Sequence, residues 1–285
     1  MIIWNNPNAS LLEEISKIPG AYYKNEKLFA ADDLEGALTT LIGKRPDYIR
    51  KDRRKISNID SLPSILFPWQ REGAIRLAKG EKKFLVHNCG LGKSLTCISA
   101  ANLLNANRIL VVTRSMGKDV YARDCKKINE NRPIAILSGI GTDSKATRYQ
   151  LNRYNKYLTS YYSNCLSYRE IPSDFWMLVC PWEILHAHVE KLLSISFDVI
   201  IFDEHHMGKG RTAKRTDAAI ALSKKAAVKW SVSATPVRDR LRDLWAQWRC
   251  VDFYGADSSW KWVHRYCSAK EGRYGWDLSG ASNLE

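Results

Sequence analysis

The chain has 285 residues, 45% of them hydrophobic, and 44 Lys+Arg against 30 Asp+Glu give a formal charge of +14. That apolar fraction supports a folded core and excludes a disordered, collagenous or small disulfide-stapled chain, while the positive excess predicts a polyanionic partner. No apolar run reaches the length of a membrane span, no secretion-signal layout opens the chain, and seven cysteines without a CxxC pair argue against a zinc site and for a reducing compartment.

The first 48 residues read as a separate small α+β unit. Leu11, Leu12, Ile15 and Ile18 recur at helical spacing and stop at Pro19-Gly20, a helix-ending pair. An extended piece follows around Tyr22, Tyr23, Leu28 and Phe29, and Asp32-Asp33 is placed to cap a second helix ending near Ile42-Gly43. Residues 49–60 read as a linker whose basic run, Lys51 to Lys55, is either a solvated tether or an arm that contacts phosphates.

From residue 61 to 285 short apolar runs alternate with helical stretches. Strands are predicted at Phe84–His87, Ile109–Thr113, Ile134–Leu137, Met177–Cys180, Val199–Phe202 and Val228–Val232, with helices between them such as Ser94–Leu104 and Thr212–Ser223. That alternation predicts an α/β fold, a parallel sheet covered by helices on both faces. Residues 142–174, rich in Tyr and Asn, break the rhythm and read as a helical insertion.

Leu66-Phe67-Pro68-Trp69-Gln70 opens a helix, and the Gln70 amide offers the acceptor and donors that an adenine edge requires. The run Phe84-Leu85-Val86 then enters His87-Asn88-Cys89-Gly90-Leu91-Gly92-Lys93-Ser94 and a further helical stretch. Phosphate binding asks for this layout: a strand ends, glycines let backbone N–H groups approach, and a helix N-terminus adds its dipole. Lys93 is expected on the β- and γ-phosphates and the Ser94 hydroxyl on Mg²⁺, although His87 stands where the strict pattern has glycine.

A second apolar run, Val199–Phe202, delivers Asp203-Glu204-His205-His206. Ligands of parallel sheets bind at the C-terminal ends of strands, so these carboxylates can share a site with the phosphate loop. Asp203 is expected to hold Mg²⁺ and Glu204 to polarise an attacking water. Neighbouring side chains on a strand point to opposite faces, which argues against His205 and His206 as a metal pair. Val228–Val232 ends in Ser233-Ala234-Thr235-Pro236, small hydroxyl residues able to hydrogen-bond the carboxylates and sense the γ-phosphate.

Gln70, the Gly90–Ser94 loop, Asp203–His206 and Ser233–Pro236 stand in the order found in the first RecA-like lobe of superfamily-two helicases. More narrowly, Cys89–Ser94, and Ala234–Asp239 followed by Leu244-Trp245, resemble the Snf-type DNA-dependent ATPases. The tail, Arg265–Lys270, Gly275–Asp277 and Gly280–Leu284, is similar to the annealing-helicase branch, and Ile18–Tyr22 with Lys27 and Phe29 resembles the HARP-like unit that accompanies it. The chain departs from that branch in having His87-Asn88 where acidic residues are usual and Asp239 where Asn is common.

The resemblance implies a RecA-like P-loop domain that binds ATP with Mg²⁺. Gln70, Cys89, Gly90, Leu91, Gly92, Lys93 and Ser94 would surround the nucleotide, Lys93, Asp203 and Glu204 would be catalytic, and Ser233, Ala234 and Thr235 would couple hydrolysis to movement. It also places Thr113 and Arg114 on a DNA backbone. Residues 205–249 carry eleven Lys/Arg against three Asp, which adds Lys209, Arg211 and Arg238 as candidates for sequence-independent DNA contacts. A second RecA-like lobe, in cis or in trans, would supply arginine fingers, since Glu285 falls where such proteins pass into it; this chain alone is expected to bind ATP and hydrolyse it weakly. The compartment expected is the cytoplasm, nucleoid or host cytoplasm, or the nucleus in a eukaryote. Two other readings stay open at this point: an RNA-acting DExH helicase, and a non-catalytic DNA-binding module that keeps a motor fold.

Overall fold

Five consecutive buried residues, Ile109–Thr113, form the middle strand of a seven-stranded sheet, and their uninterrupted apolar character is what burial on both faces demands. The computed structural model describes residues 2–5, 22–24, 27–30, 56, 58–80, 82–139, 144–210, 213–237, 241–251, 256, 258–272 and 275–280.

The chain divides into two compact units, Met1–Arg53 and Arg54–Glu285. In the first, β1 (Ile2–Asn5), β2 (Tyr22–Lys24) and β3 (Lys27–Ala30) make an antiparallel sheet ordered β1-β3-β2. The extended piece expected around Tyr22 and Phe29 is thus the hairpin β2–β3. The helices expected over 11–18 and from Asp32 to Ile42 lie outside the described residues, as does the basic run 51–55.

In the second unit the elements are α1 (Pro68–Lys79), β4 (Lys82–Val86), α2 (Lys93–Leu103), β5 (Ile109–Thr113), α3 (Val120–Lys127) and β6 (Ile134–Leu137). They continue as α4 (Lys145–Tyr161), β7 (Cys165–Tyr168), β8 (Met177–Pro181), α5 (Leu185–Leu193), β9 (Val199–Asp203), α6 (Lys214–Ser223) and β10 (Val228–Ser233). Then come α7 (Leu244–Cys250), α8 (Ser259–Tyr266) and a hairpin of β11 (Lys270–Gly272) with β12 (Gly275–Asp277). The large sheet runs β4-β10-β9-β5-β8-β6-β7, and every neighbouring pair is parallel.

Alternate residues of each strand serve the two faces. Ile109, Val111, Ile134, Val179, Ile201 and Trp230 pack with Ala74 and Leu77 of α1, Ile98 of α2, Tyr121 of α3 and Leu158 of α4. Leu110, Val112, Leu178, Ile200 and Phe202 pack with Leu185 and Leu192 of α5, Leu222 of α6 and Cys250 of α7. Trp245, Trp262, Val263 and Cys267 form a further cluster under the C-terminal helices. The seven-stranded parallel sheet flanked by helices is the α/β architecture the sequence predicts.

Within residues 142–174 the expected helical part is present as α4, and it is followed by β7, which pairs with β6 from Ile134↔Cys165 to Leu137↔Tyr168. The helix is the crossover of a β–α–β unit that closes one side of the sheet. The Asn155 side chain fastens helix to strand, accepting from the Ser167 N–H at 2.7 Å and donating to the Ser167 carbonyl at 3.0 Å.

Candidate functional site

A parallel sheet directs every strand's C-terminal end to one edge, which therefore gathers Val86, Thr113, Pro181, Asp203 and Ser233. Strand β10 pairs with β4 on one side and β9 on the other, so the loop after β4 and the carboxylates after β9 flank the end of β10.

The loop from His87 to Gly92 turns on two left-handed residues, Gly90 at φ 83° and Gly92 at φ 73°, and α2 begins immediately after it. Lys93 folds back over this loop: its ammonium donates to the His87 carbonyl at 3.1 Å and the Asn88 carbonyl at 3.3 Å. Those bonds hold the cation inside a ring of backbone at a helix N-terminus, a charge arrangement suited to an anion. The neighbouring Ser94 hydroxyl donates to the carboxylate of Asp124 on α3, and Asp124 also receives the Lys127 ammonium at 2.9 Å. Cys89 is exposed on the outer side of the loop.

Gln70 is buried rather than a surface helix residue. Its Oε1 accepts from the Phe67 N–H at 3.1 Å, capping α1, and its Nε2 donates to the Leu91 carbonyl at 3.1 Å. One lone pair and one N–H of the amide remain. A Cβ at Gly92 would run into the Gln70 amide nitrogen, so a side chain there would have to move the Gln70 amide from its bonds.

Asp203 ends β9 in a dense polar setting. Its Oδ2 accepts from the Thr113 hydroxyl at 2.9 Å and its Oδ1 from the Glu204 N–H at 3.0 Å, while the Trp182 indole N–H donates to its carbonyl at 2.7 Å. Burial pushes the Asp203 carboxyl up to about 6; the Thr113 hydrogen bond opposes the rise, the Glu204 charge adds to it, and the Lys93 charge opposes it. Glu204 takes a left-handed φ of 47°, which ends the strand, and residues His205–Gly208 wind into a 3₁₀ turn.

That turn corrects the expectation that the two histidines diverge across a strand. Both are buried against β10: His205 Nδ1 lies 2.7 Å from the Ser231 hydroxyl and His206 Nδ1 lies 3.2 Å from the Ser233 hydroxyl. His205, stacked on Phe202 and Trp182, is held neutral by burial, which pushes its pKa down to about 3. His206 Nδ1 also lies 3.2 Å from Glu204 Oε2, and Ser233 Oγ accepts the Thr235 N–H at 3.1 Å. Among the described residues Ser233 meets Glu204 by way of His206, whose single Nδ1 faces both the Glu204 carboxylate and the Ser233 hydroxyl. Ala234 is half-buried and Thr235 exposed.

The Lys93 loop with Ser94 and the Asp203-Glu204 pair stand at the same sheet edge, on either side of β10. A hydroxyl and a carboxylate are hard oxygen donors of the kind Mg²⁺ takes alongside phosphate oxygens, so Ser94 and Asp203 fit that ion. Asp124 and Trp182 belong to the same assembly, although no sequence motif points to them; a carboxylate among the buried positions of α3 is the available signal for Asp124.

The expected polyanion contacts divide. Arg114 is exposed at the end of β5. Thr113 is only 2% exposed with its hydroxyl bonded to Asp203, so its side chain serves the carboxylate site and not a DNA backbone. Lys209 pairs with Asp243 at 3.2 Å, and Arg211 and Arg238 lie outside the described residues. The basic stretch 205–249 is not one surface, since Lys229 points inward and donates to the Ser223 carbonyl at 2.6 Å.

Comparison with known proteins places these features in a family. The SNF2-related domain matches residues 69–265. The chain is 26% identical over 248 residues to the Drosophila melanogaster SWI/SNF-related matrix-associated actin-dependent regulator of chromatin subfamily A-like protein 1, covering 86% of this chain and 29% of that protein. The Caenorhabditis elegans homolog is 30% identical over 227 residues, covering 79% and 30%. The mouse DNA annealing helicase and endonuclease ZRANB3 is 26% identical over 237 residues, covering 79% and 20%. The chain therefore spans less than a third of the length of these relatives. Among solved structures, the Sulfolobus solfataricus SWI2/SNF2 ATPase core in complex with dsDNA shares the fold at a TM-score of 0.56 and 17% identity, covering 76% of this chain and 41% of that one.

Proposed function

The chain belongs to the SNF2-related domain family, and on that premise we propose that residues 61–285 are the ATP-binding motor lobe of a DNA-dependent ATPase that translocates on duplex or forked DNA. The observation that carries this reading is the meeting of the Lys93 loop with Asp203 and Glu204 on either side of β10, with Glu204 linked to Ser233 through His206.

In this reading the Lys93 ammonium exchanges its two carbonyl partners for the β- and γ-phosphates, and N–H groups of Cys89–Ser94 surround them. Gln70 uses its remaining lone pair and N–H on the adenine edge. Ser94 and Asp203 would hold Mg²⁺, which neutralises charge on the phosphate oxygens. Ser94 keeps its lone pairs for that role because its proton is donated to Asp124. Glu204 orients the attacking water, and any change at its carboxylate reaches His206, then Ser233 and the Thr235 backbone. ATP state is thereby coupled to the loop after β10. A second RecA-like lobe, in cis or in trans, contributes the arginine that completes hydrolysis, so this chain alone binds ATP and turns it over slowly.

The relatives named for chromatin and annealing-helicase activities, and the neighbour solved with duplex DNA, support DNA over RNA as partner. Among the described residues no helix is long and apolar enough to cross a membrane. A compartment that holds DNA follows from the same reading: the nucleus, a nucleoid or a host cytoplasm.

The test measures ATP turnover by this chain with duplex DNA and with RNA, and duplex affinity with and without Mg-ATP, for the wild type and Glu204→Gln. The reading expects stimulation by duplex DNA, nucleotide-dependent DNA affinity, and loss of turnover with ATP binding kept in the variant. Greater stimulation by RNA returns the DExH reading. DNA affinity indifferent to ATP and to the substitution returns the binding-module reading.

A further inference from the structure

Helix α4 takes no part in the site above, yet its sequence is strongly patterned. It carries Lys145, Arg148, Arg153 and Lys156 and no Asp or Glu. Positions 145, 148, 149, 152, 153 and 156 fall at i, i+3, i+4, i+7, i+8 and i+11, so Lys145, Arg148, Tyr149, Asn152, Arg153 and Lys156 share one face. All six are exposed. The opposite face packs on the sheet through Leu158, fully buried, and Tyr154. Core packing thus accounts for one side of this helix, and the other side presents the four cations.

The N-terminal end of the helix lies toward the sheet edge described above. As a crossover helix, α4 starts toward the C-terminal ends of the strands, the edge that holds Thr113, Asp203 and Ser233. Lys118, just beyond exposed Arg114, sits over the Tyr154 ring at 4.2 Å and joins the loop after β5 to α4.

We propose that the Lys145–Lys156 face of α4 is a second DNA-backbone contact, which holds the duplex beside the motor without reading its sequence. Eleven residues of helix span roughly 16 Å, and a duplex presents one negative charge per ~1.7 Å of axis, so all four cations can meet phosphates at once. Tyr149 and Asn152, between them on the same face, offer an O–H and an N–H to phosphate or sugar oxygens. The inference rests on the reading of this chain as a DNA-acting motor, and the experiment separates the two.

Duplex affinity is measured by fluorescence anisotropy as a function of salt, for the wild type and for K145Q/R148Q/R153Q/K156Q, in which the glutamines preserve helix propensity. Fluorescent ATP affinity is measured in parallel. The proposal expects at least a tenfold loss of DNA affinity and a log–log salt slope shallower by about 3.6, given ~0.9 for each of four phosphates no longer neutralised. ATP affinity should stay unchanged, since no nucleotide-site residue is altered. A charge-reversed R153E/K156E chain, checked for native circular dichroism, should lose more affinity than the matched R153Q/K156Q. Wild-type DNA binding with unchanged affinity and slope in the variants overturns the α4 contact alone. Absence of duplex binding by the wild type overturns the motor reading with it.

Discussion

The Thr113 hydroxyl donates a 2.9 Å hydrogen bond to Oδ2 of Asp203, joining the end of β5 to the end of its neighbour β9 across 90 residues of sequence. The bond supports the ionised carboxylate in a place where burial favours the neutral one.

Thr113→Val should therefore raise the Asp203 pKa further. In the proposed site ionised Asp203 is the form that would take Mg²⁺, so Mg-dependent nucleotide affinity is expected to fall as pH drops through about 6 in the wild type, and from a higher pH in the variant. Titrating that affinity between pH 5 and 8 tests this; superimposable wild-type and Thr113→Val profiles would remove the bond from the account.

In the proposed site Asp124 positions Ser94 by accepting its hydroxyl proton. Asp124→Asn is expected to weaken the Mg²⁺ dependence of nucleotide binding by about 10-fold or more, the usual scale for partners of metal ligands, and to leave affinity in EDTA unchanged. Equal losses with and without Mg²⁺ would instead point to collapse of the loop.

The two loop glycines should respond differently to alanine. At Gly90 a Cβ meets nothing within 4 Å, so Gly90→Ala bears only the left-handed penalty of roughly 1–2 kcal/mol. Gly92→Ala bears that penalty and runs into the Gln70 amide nitrogen. Denaturation midpoints and ATP affinity should both rank the Gly92 variant as the worse; the reverse order would contradict the packing of Gln70 on this loop.

Lys229 tests the division of the basic stretch. Lys229→Met leaves the Ser223 carbonyl without this donor and should destabilise the chain by about 1–3 kcal/mol while leaving the salt slope of DNA binding unchanged. A changed slope with unaltered stability would put the residue back on the DNA-facing surface.

The six strands predicted from the sequence are all present, and four of them, β5, β6, β8 and β9, are written as the continuous apolar runs that burial on both faces demands. Cys165–Tyr168 gives no such signal because an outermost strand is half-exposed, with Leu166 turned outward, and carries no such run. The phosphate loop and the Asp203-Glu204 pair are legible since each depends on residues adjacent in sequence. Partners set by tertiary approach are not: Asp124 reaches Ser94 across 30 positions and Trp182 reaches the Asp203 carbonyl across 21. The histidine directions escape a strand-based reading for a local reason, the left-handed turn at Glu204, which stops the strand one residue before them. Lys229 joins the basic stretch only by charge counting, which takes no account of which way a strand residue faces.

We propose the Lys93 loop as the phosphate site of a nucleotide-driven lobe. The most direct measurement is Mg-ATP affinity of the wild-type chain against Lys93→Ala. A buried ammonium moved from two carbonyls to phosphates contributes charge-assisted hydrogen bonds of about 1.5–3 kcal/mol, so saturable wild-type binding and at least a ~10-fold loss in the variant are predicted. Equal affinity in the two proteins would contradict the assignment of the loop, and with it the motor.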